Sequence, residues 1–276
     1  MIDVKNISFK YAGSKHLVFD DFSLTLEENR IYGLLGKNGT GKSTLLYLLS
    51  GLLRPSCDSV CCDGVATKDR DPETLRDIFL VTEEFEMPAI CLSEYVKLYK
   101  PFYPNFSDEI LQGCLADFEL PADVRLGELS MGQRKKAYIA FAMATNTKYL
   151  LMDEPTNGLD IPSKSQFRKV IAQHMTEERT VVISTHQVHD VEQMLDHILM
   201  LDQHSVLLNA SMQEIQDAYT FEFRSPQQMD DTVLYAEPTL QGNAVITKRQ
   251  EGDAETQVNL ELLFNYKTTP KTGPVL

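Results

Sequence analysis

The chain has 276 residues, 43% of them hydrophobic, enough for one large domain, or one domain with a small appendage, around a real core. Its formal net charge is −14 and no basic stripe runs through it, which excludes the usual footprint of a nucleic-acid binder; the acidity reads as solubility. The opening MIDVKNISFKY alternates like a strand rather than a secretory signal, and no run of 18 apolar residues occurs, so the expectation is a cytosolic protein with no membrane span.

Residues 1 to 30 read as strands joined by polar turns: Ile2, Val4, Ile7 and Phe9 are apolar at near-strand spacing, and Phe22, Leu24 and Leu26 alternate. Tyr11 sits at the turn between them. It is either an aromatic platform for a nucleotide base or an ordinary strand-end tyrosine, and the residues alone leave both open. The apolar run at residues 31–35 reads as a buried strand and residues 44–49 as a helix. Between them lies GKNGTGKST, with Gly36, Gly41, Lys42 and Ser43 at the spacing G-x-x-x-x-G-K-[ST]. Glycines let successive backbone N–H groups of Lys37, Asn38, Gly39, Thr40 and Thr44 face phosphate oxygens, and the helix start adds a positive dipole end. Lys42 is then placed for the β- and γ-phosphates and the Ser43 hydroxyl for Mg²⁺.

Asp63-Gly64 signals a turn, and residues 75–81 are the end of a helix or a strand. Of the five cysteines, Cys57, Cys61 and Cys62 cluster, but adjacent strand residues face opposite sides and no His lies nearby. Free buried or half-buried thiols are expected, not a metal site. Residues 83 to 128 change character: they are acid-rich, broken by prolines and striped at helical spacing by Ile110, Leu111, Cys114, Leu115 and Phe118. They read as a helical insertion with exposed aromatics, Tyr95, Tyr99, Phe102 and Tyr103, suited either to a partner or to the insertion's own small core.

LSMGQ at residues 129–133 opens a helix to about Thr145. Residues 149–152 form an apolar strand ending in Asp153 and Glu154, two carboxylates costly to bury without a partner, which Mg²⁺ at the phosphate loop supplies. A helix follows over residues 163–175, then a third apolar strand over 180–185 that ends at His186. Ligands of open α/β sheets sit beyond such carboxyl ends, which gives His186 weight; His186 and His189 do not form a zinc motif. Beyond residue 208, segments 220–223, 233–236 and 244–247 read as strands, 259–266 as a short helix and 268–276 as a frayed end.

Five markers in one order, Tyr11, GKNGTGKST, LSMGQ, YLLMDEPTNGLD and STH, resemble the nucleotide-binding subunit of ATP-binding-cassette (ABC) transporters over residues 1 to about 208. The resemblance implies an α/β phosphate-loop NTPase core of mainly parallel sheet flanked by helices. To this it adds an N-terminal antiparallel β subdomain, the helical insertion at about 83–128 and a small C-terminal extension over 209–276. It implies ATP and Mg²⁺, with Tyr11 stacked on adenine, Gly36 to Thr44 around the phosphates, Asp153 on Mg²⁺ and Glu154 polarising the attacking water. Ser130 and Gly132, with Gln133 of the same motif, would meet ATP held by the other subunit; Asp160 would lie at the seam and His186 at the γ-phosphate. One cassette per chain then calls for a second copy or a paralogue, head to tail.

Residues 93–110 and 186–201 look similar to ATPase subunits of ABC-2-type exporters, which work with a separate membrane permease; the chain would sit at the inner face of the cell membrane through that permease. The alternative is a soluble cassette ATPase of the iron–sulfur assembly type. Four positions depart from the family pattern. Asn29, Asp58 and His204 stand where glycine is usual, types that tolerate left-handed turns, and Glu83 stands at a usual glutamine beside Mg²⁺.

Overall fold

A computed structural model describes residues 1–269 except Gln203. Strands β1 (Ile2–Phe9) and β2 (Phe19–Leu26) pair antiparallel, and β4 (Cys57–Cys62) and β5 (Val65–Ala66) extend them into a four-stranded sheet in the order β2-β1-β4-β5. One face of β1 and β2 is buried, as their alternation dictates. Between β2 and β4 the chain enters β3 (Ile31–Gly36), loops, and runs into helix α1 (Lys42–Leu49).

After β5 come α2 (Pro72–Arg76) and β6 (Ile78–Val81), so residues 75–81 hold both a helix end and a strand. Then follow α3 (Leu92–Tyr99), α4 (Asp108–Asp117), α5 (Met131–Ala144), β7 (Tyr149–Asp153), α6 (Ile161–Gln173) and β8 (Thr180–Thr185). Strands β9 (His197–Asp202) and β10 (Ser205–Ser211) form a hairpin. The second sheet has the order β10-β9-β3-β8-β7-β6, parallel from β9 to β6 with β10 antiparallel at its edge. Every residue of β3, β7 and β8 is buried, which is what unbroken apolar runs become when both sheet faces are covered. One face packs on α1 and the antiparallel sheet; the other packs on α3 to α6.

Helix starts follow their sequence signals. Ser107 caps α4 ahead of Asp108 and Glu109, Ser130 and Gln133 close a reciprocal capping box on α5, and Asp160 caps α6 ahead of a proline. Arg179 is fully buried and donates to the carbonyls of Met143, Thr147 and His174 and to Asn146 Oδ1 at 2.7–3.3 Å. It ties the ends of α5 and α6 to the approach to β7, where carbonyls lack helix partners. Burial pulls its pKa down to about 10.

Helix α7 (Met212–Ala218) leads to a third sheet, β11 (Tyr219–Arg224), β12 (Val233–Thr239) and β13 (Gly242–Lys248) in the order β11-β13-β12, closed by α8 (Leu260–Thr268). Helix α8 packs on the turn at Val188–Asp190, just past His186. The boundary expected at residue 208 falls inside β10, which stays paired with β9 to Ser211.

Several expectations change. Tyr95 is buried on the inward face of α3 and Tyr103, past its end, is half-buried, both packed on Phe141, whereas Tyr99 and Phe102 are exposed as expected. Asp58 lies inside β4 rather than in a turn, whereas Asn29 and His204 do take left-handed backbone, with φ of 56° and 84°. Cys57 is exposed; Cys62 and Cys114 are buried, and burial pushes both thiols up to about 12. Of the expected frayed end, Thr268 is the last residue of α8, and residues 270–276 lie outside the described residues.

Candidate nucleotide site

The site forms where β3, β7 and β8 end side by side. The turn from β3 into α1 is built for glycine. A Cβ on Gly36 would lie 2.5 Å from Thr40 Oγ1, and Gly41 has φ of +100° with Val18 2.8 Å from where its Cβ would be. A side chain at either position would clash with the turn's own packing, so the chain passes there as bare backbone, which fits a phosphate-binding turn. Lys42 is buried in the turn and donates to the carbonyls of Gly36 at 2.7 Å and Lys37 at 3.3 Å. Burial lowers its pKa; the charges of Glu154, Asp153 and Glu83 oppose that shift.

Asp153 is buried at the end of β7 and accepts a hydrogen bond from the Ser184 hydroxyl on β8. Glu154 follows with φ of +46°, a left-handed conformation costing a non-glycine residue on the order of 1–3 kcal/mol. Its N–H donates to Ser184 O at 3.1 Å, and its carboxylate meets His186 Nδ1 at 2.8 Å. A carboxylate only accepts, so the imidazole proton belongs on Nδ1, and Nε2 is left to accept from the Gln187 side-chain amide at 3.4 Å. Lys135 on α5 donates to the carbonyls of Glu154 and Asn157, and Asn157 Nδ2 donates to Glu83 Oε1 at 2.8 Å. The Tyr11 hydroxyl lies 2.9 Å from Thr44 Oγ1 while its ring, edge-on to Phe9, is largely exposed. Tyr11 thus borders the loop with a free face.

The structure gathers Lys42, Asp153, Glu154, His186 and Glu83 around one hollow, with Tyr11 at its rim. Ser130, Gly132, Gln133 and Asp160 stand apart from it. Among the described residues, the side-chain bonds of Ser130, Gln133 and Asp160 stay within their own helix caps, and the space beside Gly132 meets Gly158 O at 3.7 Å. Oxygen donors from Ser43, Asp153 and Glu83 suit Mg²⁺, which takes one or two carboxylates and completes its shell with phosphates and water. Three residues escaped sequence reading. Ser184 had a signal, a polar residue inside an apolar strand; Lys135 and Asn157 had none.

A family model described as "ABC transporter" matches residues 19–157. The methionine import ATP-binding protein MetN of Carboxydothermus hydrogenoformans is 31% identical over 75% of this chain and 65% of its own length. The Nod factor export ATP-binding protein I of Cupriavidus metallidurans is 25% identical over 79% of this chain and 73% of its own. The dimeric structure of MJ0796, a bacterial ABC transporter cassette, superposes with a TM-score of 0.66 at 26% identity, covering 77% of this chain and 99% of that one. The same cassette has been solved as a post-hydrolysis dimer bound to ADP and Pi, with a TM-score of 0.66 at 27% identity over the same shares.

Proposed function

This chain belongs to the ABC transporter family of ATP-binding subunits, and we propose that it closes head to tail with a second cassette to power a separate membrane permease that exports its cargo. It is an ATPase; its substrate is ATP and its cofactor Mg²⁺. The observation that carries the reading is the 2.8 Å contact between Glu154 and His186 at the ends of adjacent strands, opposite Lys42.

Each chain residue then has a physical task. The glycine hollow binds the phosphates through backbone N–H groups. Lys42, already desolvated, exchanges two carbonyl partners for phosphate oxygens, a charge-assisted bond of greater strength. Glu154 polarises the attacking water, and His186 fixes the direction of its carboxylate. Ser43 and Asp153, with Glu83 beside them, would hold Mg²⁺, which when bound would neutralise charge developing on the phosphates. Tyr11 offers its exposed ring to the adenine. Ser130, Gly132 and Gln133 reach ATP on the partner cassette, and Asp160 lies at the seam. Two exposed apolar residues flank these positions, Met131 at 76% exposure and Ile161 at 84%, which supports a surface covered by a second chain.

Export and a separate permease rest on the likeness of residues 93–110 and 186–201 to ABC-2-type ATPases. No described helix is long and apolar enough to cross a membrane, so we assign anchoring at the inner face to the permease. The cassette would run to the end of β10 at Ser211, and the residues after it would form an appended module.

Replacing Glu154 with glutamine keeps ATP affinity within a few-fold and lowers turnover by about 10²- to 10⁴-fold, or about 3–5 kcal/mol. ATP binding and steady-state hydrolysis are measured separately. Wild-type turnover in Glu154→Gln removes this residue from the role.

A further inference from the structure

Lys135 lies on α5 one turn past Ser130 and is 4% exposed. Its ammonium donates to Glu154 O and Asn157 O, each at 2.9 Å. Both carbonyls belong to the single turn that leaves β7. Burial pulls the lysine's pKa down, and the charges of Glu83, Glu154 and Asp153 push it back up. An apolar side chain of the same length would avoid desolvating a charge but would leave the Asn157 carbonyl without this donor, so stability alone does not select lysine here.

The turn it grips is the one that aims the carboxylate. Glu154 is left-handed there, its N–H is held by Ser184 from the strand side, and its carbonyl accepts from Lys135 on the helix side as well as from the Asn157 N–H within the turn at 3.1 Å. Glu154 is thereby clamped at both ends of its own residue. With one clamp gone, the turn can relax toward ordinary backbone angles and carry the carboxylate away from His186. The Glu83–Asn157 bond pulls on the same turn from a third side.

We infer that Lys135 is a positioning residue for ATP hydrolysis: its buried ammonium locks the left-handed Glu154 peptide through two backbone carbonyls and so fixes the aim of the Glu154 carboxylate. Since α5 begins with Ser130 and Gly132, the lock also ties that helix to the turn at Glu154. The inference rests on the reading of Glu154 as the group that polarises water.

The test uses the full chain with MgATP and compares Lys135→Met, Lys135→Arg and Glu154→Gln, singly, with the Lys135→Met/Glu154→Gln double variant. Lys135→Met matches the length and is apolar; the expected result is kcat down by about 10- to 100-fold, KM for ATP within about threefold, and a thermal midpoint that stays well above the assay temperature. Lys135→Arg, which keeps a buried donor, recovers at least part of the lost kcat. In the Glu154→Gln background, Lys135→Met lowers the residual rate by no more than about twofold, because the group it positions is gone. Wild-type kcat in Lys135→Met, a kcat loss that tracks a lowered midpoint, or a full additional loss in the double variant overturns the inference. If Glu154→Gln alone turns over normally, the reading of Glu154 fails instead, and the single variants distinguish the two failures.

Discussion

At the residue scale the most informative departure is Glu83. Its carboxylate accepts from Asn157 Nδ2 at 2.8 Å, and its charge bears on both Lys42 and Lys135. Glu84 differs: only its backbone carbonyl is engaged, by the Thr82 hydroxyl at 2.7 Å. An added negative charge beside a triphosphate is repulsive until Mg²⁺ stands between them, and attractive afterwards. Glu83→Gln therefore remains active with a weaker Mg²⁺ requirement, because the amide oxygen still accepts from Asn157. Glu83→Ala loses that bond as well, and Glu84→Ala follows wild type. A Mg²⁺ titration of turnover separates the four proteins; identical curves would mean that neither glutamate senses the metal. Much of this site was legible as residue types, because phosphate loops and strand-end carboxylates announce their chemistry by spacing. Lys135 was not. A lysine in a helix reads as solvated surface, and only the packing of α5 against the turn after β7 reveals that it is buried.

At the element scale the helical insertion was legible as helix and misread in phase. Phe141 on α5 is surrounded by Phe79, Tyr95, Tyr99, Tyr103 and Phe106, with ring centroids 5.0–6.4 Å away. These edge-on and tilted contacts hold the insertion to the core at about 0.5–1.5 kcal/mol per pair beyond area burial. Aromatic composition alone does not say which face of α3 points inward; Tyr95 does, Tyr99 only edges onto Phe141, and Leu98 does not. What remains outside is Tyr99 at 40% exposure, Leu98 at 60% and Phe102 at 64%. Phe102 also borders a cavity of about 470 Å³ with Leu52, Leu75 and Pro101. A permease helix carrying apolar side chains would cover this patch. A photo-crosslinker at position 98 or 102 should capture a membrane protein in cells, whereas one at 95 or 103 should react only within the chain. Self-reaction alone from 98 and 102 would leave the patch without a permease. The strands β3, β7 and β8 were legible to within a residue at each end, since each is built on a short apolar run. The third sheet emerged as strands without a role, because its residues carry no chemistry that spacing can announce.

At the scale of the whole molecule the two halves of the chemistry face different ways. Lys42, Glu154 and His186 meet at the end of the parallel sheet, while Ser130, Gly132 and Asp160 sit on helix starts whose bonds are spent on their own caps. On the proposed reading one chain holds half of two sites, and hydrolysis calls for a partner turned end for end. Sequence order could suggest this only through resemblance, since a composite site leaves no spacing signature within either chain. The measurement that bears most directly on it is the solution mass of the Glu154→Gln protein as a function of nucleotide. With saturating MgATP the mass of two chains is expected, and with MgADP the mass of one. Ser130→Arg added to Glu154→Gln should still bind ATP yet stay a single chain, because a bulky cation stands where the partner's phosphate must lie. A single chain at saturating MgATP, or two chains whatever the nucleotide, would contradict the account.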